Sequence, residues 1–145
     1  MRAVGRPRHQ VFTDFDDLLA EYDADPDFDM YSALAMDIYG YPVNKKDNPD
    51  ERQIGKAGSL GLGYSMSWFG FQQYLAGGPL GMDPMFVSDG FAKNVKTSYD
   101  LKHPNIVAMW NEIKYQVLPV LAEGGEHRFG RDGCAIARKD TIQLP

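Results

Sequence analysis

Apolar residues are spaced in two ways along this chain. Between Met30 and Leu121 they recur at helical intervals. Beyond Glu126 they alternate with polar residues in short runs between turn signals. Met30, Ala33, Leu34 and Ile38 predict a helix from about Asp29 to Tyr39, ended by Gly40. A connector, "YPVNKKDNPD", follows. Asn48-Pro49-Asp50-Glu51 then predicts a helix start. Asn48 serves as cap, Pro49 takes the first helical position, and Glu51 completes a capping box. This helix is expected to run to about Tyr64, and a shorter one to cover Trp68 to Leu75. After the break at "AGGPLGMDP", Asp83-Pro84 is expected to start another, with Phe86, Val87, Phe91 and Val95 on one side. His103-Pro104 marks a boundary. Ile106, Val107, Trp110, Ile113, Val117, Leu118 and Leu121 then form a long apolar stripe, which Pro119 should bend near its end. The last twenty residues, "EHRFGRDGCAIARKDTIQLP", predict two or three short strands that open a sheet. The expected fold class is mainly α with a short C-terminal β portion.

One predicted helix carries unusual contents. In "ERQIGKAGSLGLGYSMSWFG", Arg52, Lys56, Leu60 and Tyr64 are four residues apart, so on a helix they form one slowly rotating ridge. Two cations lead, an aliphatic side chain follows, and an aromatic ring ends it. Such a ridge suits a nucleotide: the cations take phosphates near the helix N-terminus and the apolar pair lies against sugar and base. Gly55, Gly58, Gly61 and Gly63 are threaded between them. A glycine inside a helix costs about 1 kcal/mol relative to alanine, so these leave room for a close neighbour. A buried glycine-rich packing helix whose Arg52 and Lys56 merely reach solvent explains the same pattern. "GKAGS" lacks the frame of a phosphate-binding Walker loop, and no strand precedes it.

Composition narrows the function classes. The 145 residues fit one small domain, with a formal net charge of -5 and a pI of about 5.1. That balance argues against a self-sufficient nucleic-acid binder, while leaving room for a local basic face. Nine acidic residues and no lysine or arginine lie between Val11 and Asn44. The aspartates of "DADPDFD" do not fit the helix-loop-helix calcium motif, and are read as a solvated loop that caps the following helix. Asp14, Asp16 and Asp17 are a further carboxylate group. Cys134 is the single cysteine, and His9, His103 and His127 are scattered, so no metal-ligand set is expected. No apolar run is long enough to cross a bilayer, and "MRAVGRPRHQ" has no hydrophobic region behind it, which makes a cytoplasmic protein the expectation. Trp110 is expected in the core, His103 at a helix boundary and Cys134 within a strand. Tyr31 fits core packing or a nucleotide pocket equally well.

"RQIGKAGSLGLGYSM" resembles motif B of the family A DNA polymerases, the long helix of the fingers, and is most similar to the bacteriophage branch. "DMYSALAMDIYGYPVNKK" is similar to the segment preceding that helix, and "FAKNVKTSYDLKHPNIVAMWNEIK" to the one following it. The final "IQLP" resembles a strand that continues into the palm. The resemblance covers roughly residues 12 to 145, in order. It implies a tail over 1–11, a helical fingers region over 12–125, and a strand-forming segment over 126–145 leading toward an incomplete palm. By carry-over, Arg52 and Lys56 contact the triphosphate of the incoming deoxynucleotide (dNTP), and Lys56 has a catalytic role at the leaving pyrophosphate. Leu60 faces sugar and base, and Tyr64 packs at the template side. Ser65, Arg128 and Arg131 are candidate DNA contacts. Leu60 departs from the usual aromatic residue, and Ser65 from the usual glycine.

Phosphoryl transfer needs metals held by carboxylates, which this family supplies from two palm motifs that the sequence lacks. The chain is expected to be inactive alone and to bind no metal by itself, with Mg²⁺ entering only beside a palm-bearing polymerase chain. Its expected partners are dNTP, primer-template DNA and that chain, with no membrane, in a bacterial host cytoplasm if its origin is phage. An excised piece, a split-gene subunit and a remnant all fit. So does a non-catalytic interaction or structural protein that keeps the fingers scaffold, for which the acidic stretch from Asp14 to Asp37 is the motive.

Overall fold

The structure, a computed structural model, describes residues 19–24 and 27–145. The N-terminal tail and the carboxylates Asp14, Asp16 and Asp17 lie outside the described residues. These divide into two compact units, one ending at Pro104 and one beginning at Asn105. The chain is mainly helical, with a three-stranded antiparallel sheet at its C-terminal end.

In the first unit, a helical run covers residues 19–24 (α1), where no helix was expected although Phe15, Leu18, Leu19 and Tyr22 stand at helical spacing in the sequence. It is followed by α2 (Met30–Tyr39), α3 (Pro49–Leu62), α4 (Trp68–Ala76) and α5 (Asp89–Lys102). Asp29 caps α2 by accepting from the Tyr31 backbone N–H, and Gly40 closes it at φ 76°. Pro49 starts α3 as expected, but the capping box does not form. The Asn48 side chain instead accepts from the Asn44 backbone N–H, and the Glu51 carboxylate accepts from the Tyr41 hydroxyl at 2.8 Å. Connector contacts thus capture both groups that a local cap would have used.

Helix α3 ends at Leu62, short of the expected Tyr64. The Tyr64 N–H donates to Gly61 and the Ser65 N–H to Leu62, each three residues back, so the last turn tightens. A second correction concerns Asp83-Pro84, which starts no helix. The Met85 N–H donates to the Leu75 carbonyl, and Gln72 donates to the Val87 carbonyl, so residues 82–88 run as a strap tied to α4. Helix α5 begins at Asp89, where Ser88 accepts from the Phe91 N–H. Phe86 is left 84% exposed, not on a core face.

The core of this unit joins Leu34 and Ile38 of α2, Ile54, Ala57 and Leu62 of α3, Phe71 and Leu75 of α4, and Val95 and Tyr99 of α5. The glycines of α3 account for the closeness of that packing. A Cβ on Gly55 would stand 2.0 Å from the Tyr31 carbonyl oxygen, so α2 and α3 cross backbone to backbone. On Gly58 it would meet Leu34 at 3.1 Å and Val95 at 3.4 Å. His103 caps the end of α5, where it is buried and its ring lies 4.8 Å from Tyr99.

The second unit contains most of α6 (Pro104–Glu112), a π-helical turn (Ile113–Val117) and α7 (Leu118–Glu123). Pro119 cannot donate to the turn before it, and its ring crowds that turn's carbonyls. The wider π turn makes room. Of the predicted apolar stripe only Ile106 and Val117 are buried; Trp110 is half-buried and Leu118 exposed. The sheet is a meander of β1 (His127–Phe129), β2 (Ala135–Arg138) and β3 (Thr141–Gln143). Arg128 pairs with Ile136 in register, and Ile136 with Gln143. Ala135 and Ala137 are buried. Cys134 is exposed and lies just before β2, not within a strand.

Candidate functional site

Arg52, Lys56 and Leu60 lie on one face of α3, roughly opposite the buried face made by Ile54, Gly55, Ala57, Gly58, Gly61 and Leu62. Lys56 is half-buried, with no hydrogen bond or ion pair among the described residues, and Leu60 is 37% exposed. Tyr64 lies beyond the end of the helix in the tightened turn, with 79% of its surface exposed. The ridge is therefore three residues on the helix and one on the turn.

Ser65 adopts φ 64°, the left-handed conformation that glycine takes without strain. A serine held in this conformation costs about 1 kcal/mol that a glycine would not.

The Arg52 guanidinium is already engaged. Its Nε and Nη2 both donate to the Asp29 carboxylate, and its Cζ lies 5.2 Å from the centre of the Tyr31 ring. Asp29 also accepts from the Ser32 hydroxyl at 2.7 Å and from the Tyr31 N–H at 3.2 Å. Burial alone would push the Asp29 carboxyl up. The bonds from Arg52, Ser32 and Tyr31, with the Arg52 charge, outweigh it and hold the group below its ordinary value. The Asp29–Arg52 contact was not legible in sequence, since the residues are 23 apart and on different helices. The only signal was Asp29 at the head of α2, which the helix pattern marked as a cap.

Acidic groups hold the first turn of α3. Asp50 and Glu51 lie there, and their charge reaches Tyr39, whose hydroxyl burial first and these carboxylates next push up to about 12. The Tyr41 hydroxyl is raised chiefly by its hydrogen bond to Glu51. An anion meeting α3 is thus favoured along the Arg52–Lys56 side more than at the helix end. A cavity of about 500 Å³ opens beside Arg52, lined among others by Tyr22, Phe28, Asp29, Ser32 and Lys45.

The two arginines named as DNA contacts belong to the second unit: Arg128 is exposed on β1, and Arg131 opens the short turn before Cys134. Arg138 is held by Glu126 at 3.0 Å and by Gln143 at 2.8 Å. Among the described residues, no three His, Cys, Asp or Glu side chains converge as they would to hold a metal ion. No helix among them is long and apolar enough to cross a membrane. No family model and no curated protein matches the chain.

Proposed function

We propose that α3 is a nucleotide-binding helix of the kind found in the fingers of family A DNA polymerases. On this reading the chain binds an incoming dNTP for template-directed nucleotidyl transfer. Carboxylates of a palm-bearing chain hold Mg²⁺, which steadies charge on the phosphates, and primer-template DNA is the other partner. Lys56 carries the reading. It is a half-buried cation on the open face of a helix pinned from behind by glycine contacts, and no described residue neutralises it. A lysine one turn from Arg52 reaches the same phosphate chain, and Leu60 offers the sugar an apolar surface. Tyr64 and Ser65 extend the surface toward the template, and Arg128 and Arg131 are the remaining DNA-contact candidates.

The experiment is equilibrium binding of a fluorescent dNTP with Mg²⁺ to the purified chain, followed by single-nucleotide insertion in complex with a palm-bearing chain. Lys56→Ala should weaken binding and slow insertion on the order of 10²-fold, because a preorganised cation at developing charge is worth a few kcal/mol. Near-normal insertion by Lys56→Ala ends the assignment. A second reading, a non-catalytic interaction protein on the same scaffold, is favoured by one observation: Asp29 already neutralises Arg52. Absence of dNTP binding to the wild-type chain selects it.

A further inference from the structure

We propose that Asp29 is a positioning residue for phosphate recognition, holding Arg52 by one edge of its guanidinium and leaving the other edge for a phosphate. This inference rests on the nucleotide-binding reading of α3.

A guanidinium has two edges that can each meet an oxoanion with paired N–H groups. One is Nε with Nη2, and the other is Nη1 with the outer hydrogen of Nη2. Asp29 takes the first, through Nε and Nη2. No described residue takes the second. The carboxylate is itself fixed, because it accepts from Ser32 and the Tyr31 N–H while capping α2. The guanidinium Cζ lies over the Tyr31 ring, 5.2 Å from its centre. Arg52 is thereby held by Asp29 at one edge and by Tyr31, with only 20% of its side chain exposed.

A long flexible cation normally loses rotamer freedom when it grips a phosphate, and an arginine fixed beforehand loses little. Asp29 carries the opposite sign to the groups that attract a triphosphate, so neutralising it should tighten binding if charge alone decided. The geometry points the other way. The charge is already matched by Arg52, and what Asp29 adds is orientation. The cavity beside this pair is lined by Arg52 and Lys45 and by the carboxylates Asp27 and Asp29, so its charges balance, and the polyphosphate class follows from the open edge of Arg52 and from Lys56 one turn along α3.

The test measures binding of a fluorescent dNTP with Mg²⁺, and of inorganic tripolyphosphate as competitor. The variants are Asp29→Asn, Arg52→Ala, Arg52→Lys and the double variant Asp29→Asn/Arg52→Ala. Asparagine is as good a helix cap as aspartate, so α2 should survive, which circular dichroism checks. Asp29→Asn should weaken both ligands about fivefold, and should have no further effect once Arg52 is alanine. In the ¹⁵N-labelled chain, Asp29→Asn should also remove the exchange protection of the Arg52 Nε–H, a signal that loss of a cap alone would not move. Arg52→Lys should bind nearly as weakly as Arg52→Ala, because an ammonium lacks the two planar edges. Unchanged or tighter binding by Asp29→Asn, with Arg52→Ala still impaired, overturns the positioning role and leaves the nucleotide reading intact. Wild-type affinity in Arg52→Lys does the same. No binding by the wild-type chain overturns both.

Discussion

Between residues 27 and 104, nine buried side chains from four helices form one cluster that includes the fully buried Phe71, Leu34 and Ile54. From Asn105 onward the buried apolar residues are Ile106, Val117, Ala135 and Ala137, two of them alanines. The first unit is closed by large side chains meeting over glycines. The second is shaped by backbone devices: a π turn ahead of Pro119, left-handed Asp132 and Asp140, and glycines at 124, 125, 130 and 133 with positive φ. Burial of a large side chain is worth about 1.5–3 kcal/mol, whereas a non-glycine residue held at positive φ costs about 1–3 and a glycine there carries no such strain. The larger buried cluster thus lies in the unit that carries the ridge, and a cation on α3 sits on a helix packed against it.

The largest effect that tests this contrast is at Phe71. Phe71→Ala should destabilise the protein by about 3–5 kcal/mol, measured by urea denaturation. Ile142→Ala on β3, at a position 48% exposed, should change stability by less than about 1 kcal/mol. Equal losses at the two sites would break the comparison.

Gly55 sharpens it. Its Cβ would strike the Tyr31 backbone oxygen, so Gly55→Ala must push α2 and α3 apart, at about 2–3 kcal/mol or more. At Gly58 the nearest neighbour is the Leu34 side-chain end, which can give way, and alanine there should cost less. Thermal melts of the two variants side by side decide whether the backbone crossing is the tighter constraint.

The Asp29–Arg52 pair should show in pH. Its folded-state carboxyl lies below the ordinary value of 3.8. A depressed acid contributes stability that is fully present above its unfolded pKa and is lost as pH falls through the folded one. Wild type should therefore exceed Asp29→Asn by about 1 kcal/mol at neutral pH, and the gap should close in acid below that folded value. A gap independent of pH would show that the Asp29 charge contributes nothing.

The smallest effect belongs to the turn after α3. Ser65→Gly relieves the left-handed strain but loosens the unfolded chain, so a gain of at most about 1 kcal/mol is expected. A loss on denaturation would mean that the serine side chain holds the turn.

Local signals in the sequence placed the helices at Met30–Tyr39, from Pro49 and from Trp68, the boundary at His103-Pro104 and the strand-forming tail, though not the end of α3, which stops at Leu62 and not at Tyr64. Spacing, Pro49, Gly40 and Pro104 act through local backbone chemistry. The sequence also set Arg52, Lys56 and Leu60 on one face, because helical geometry fixes that once the helix exists. What lies behind and beside that face was set by long-range packing. The glycines open space for Tyr31, Leu34, Val95 and Tyr74, partners that no local pattern names. Long-range contacts also overrode local signals: Leu75 and Gln72 drew residues 82–88 into a strap where Asp83-Pro84 suggested a helix, and Tyr41 took Glu51 from its cap. Arg52 was legible as a cation, but its pairing with Asp29 was not. Two groups 23 residues apart meet only where one helix crosses another, and the crossing is set by how closely the glycine-lined backbones approach.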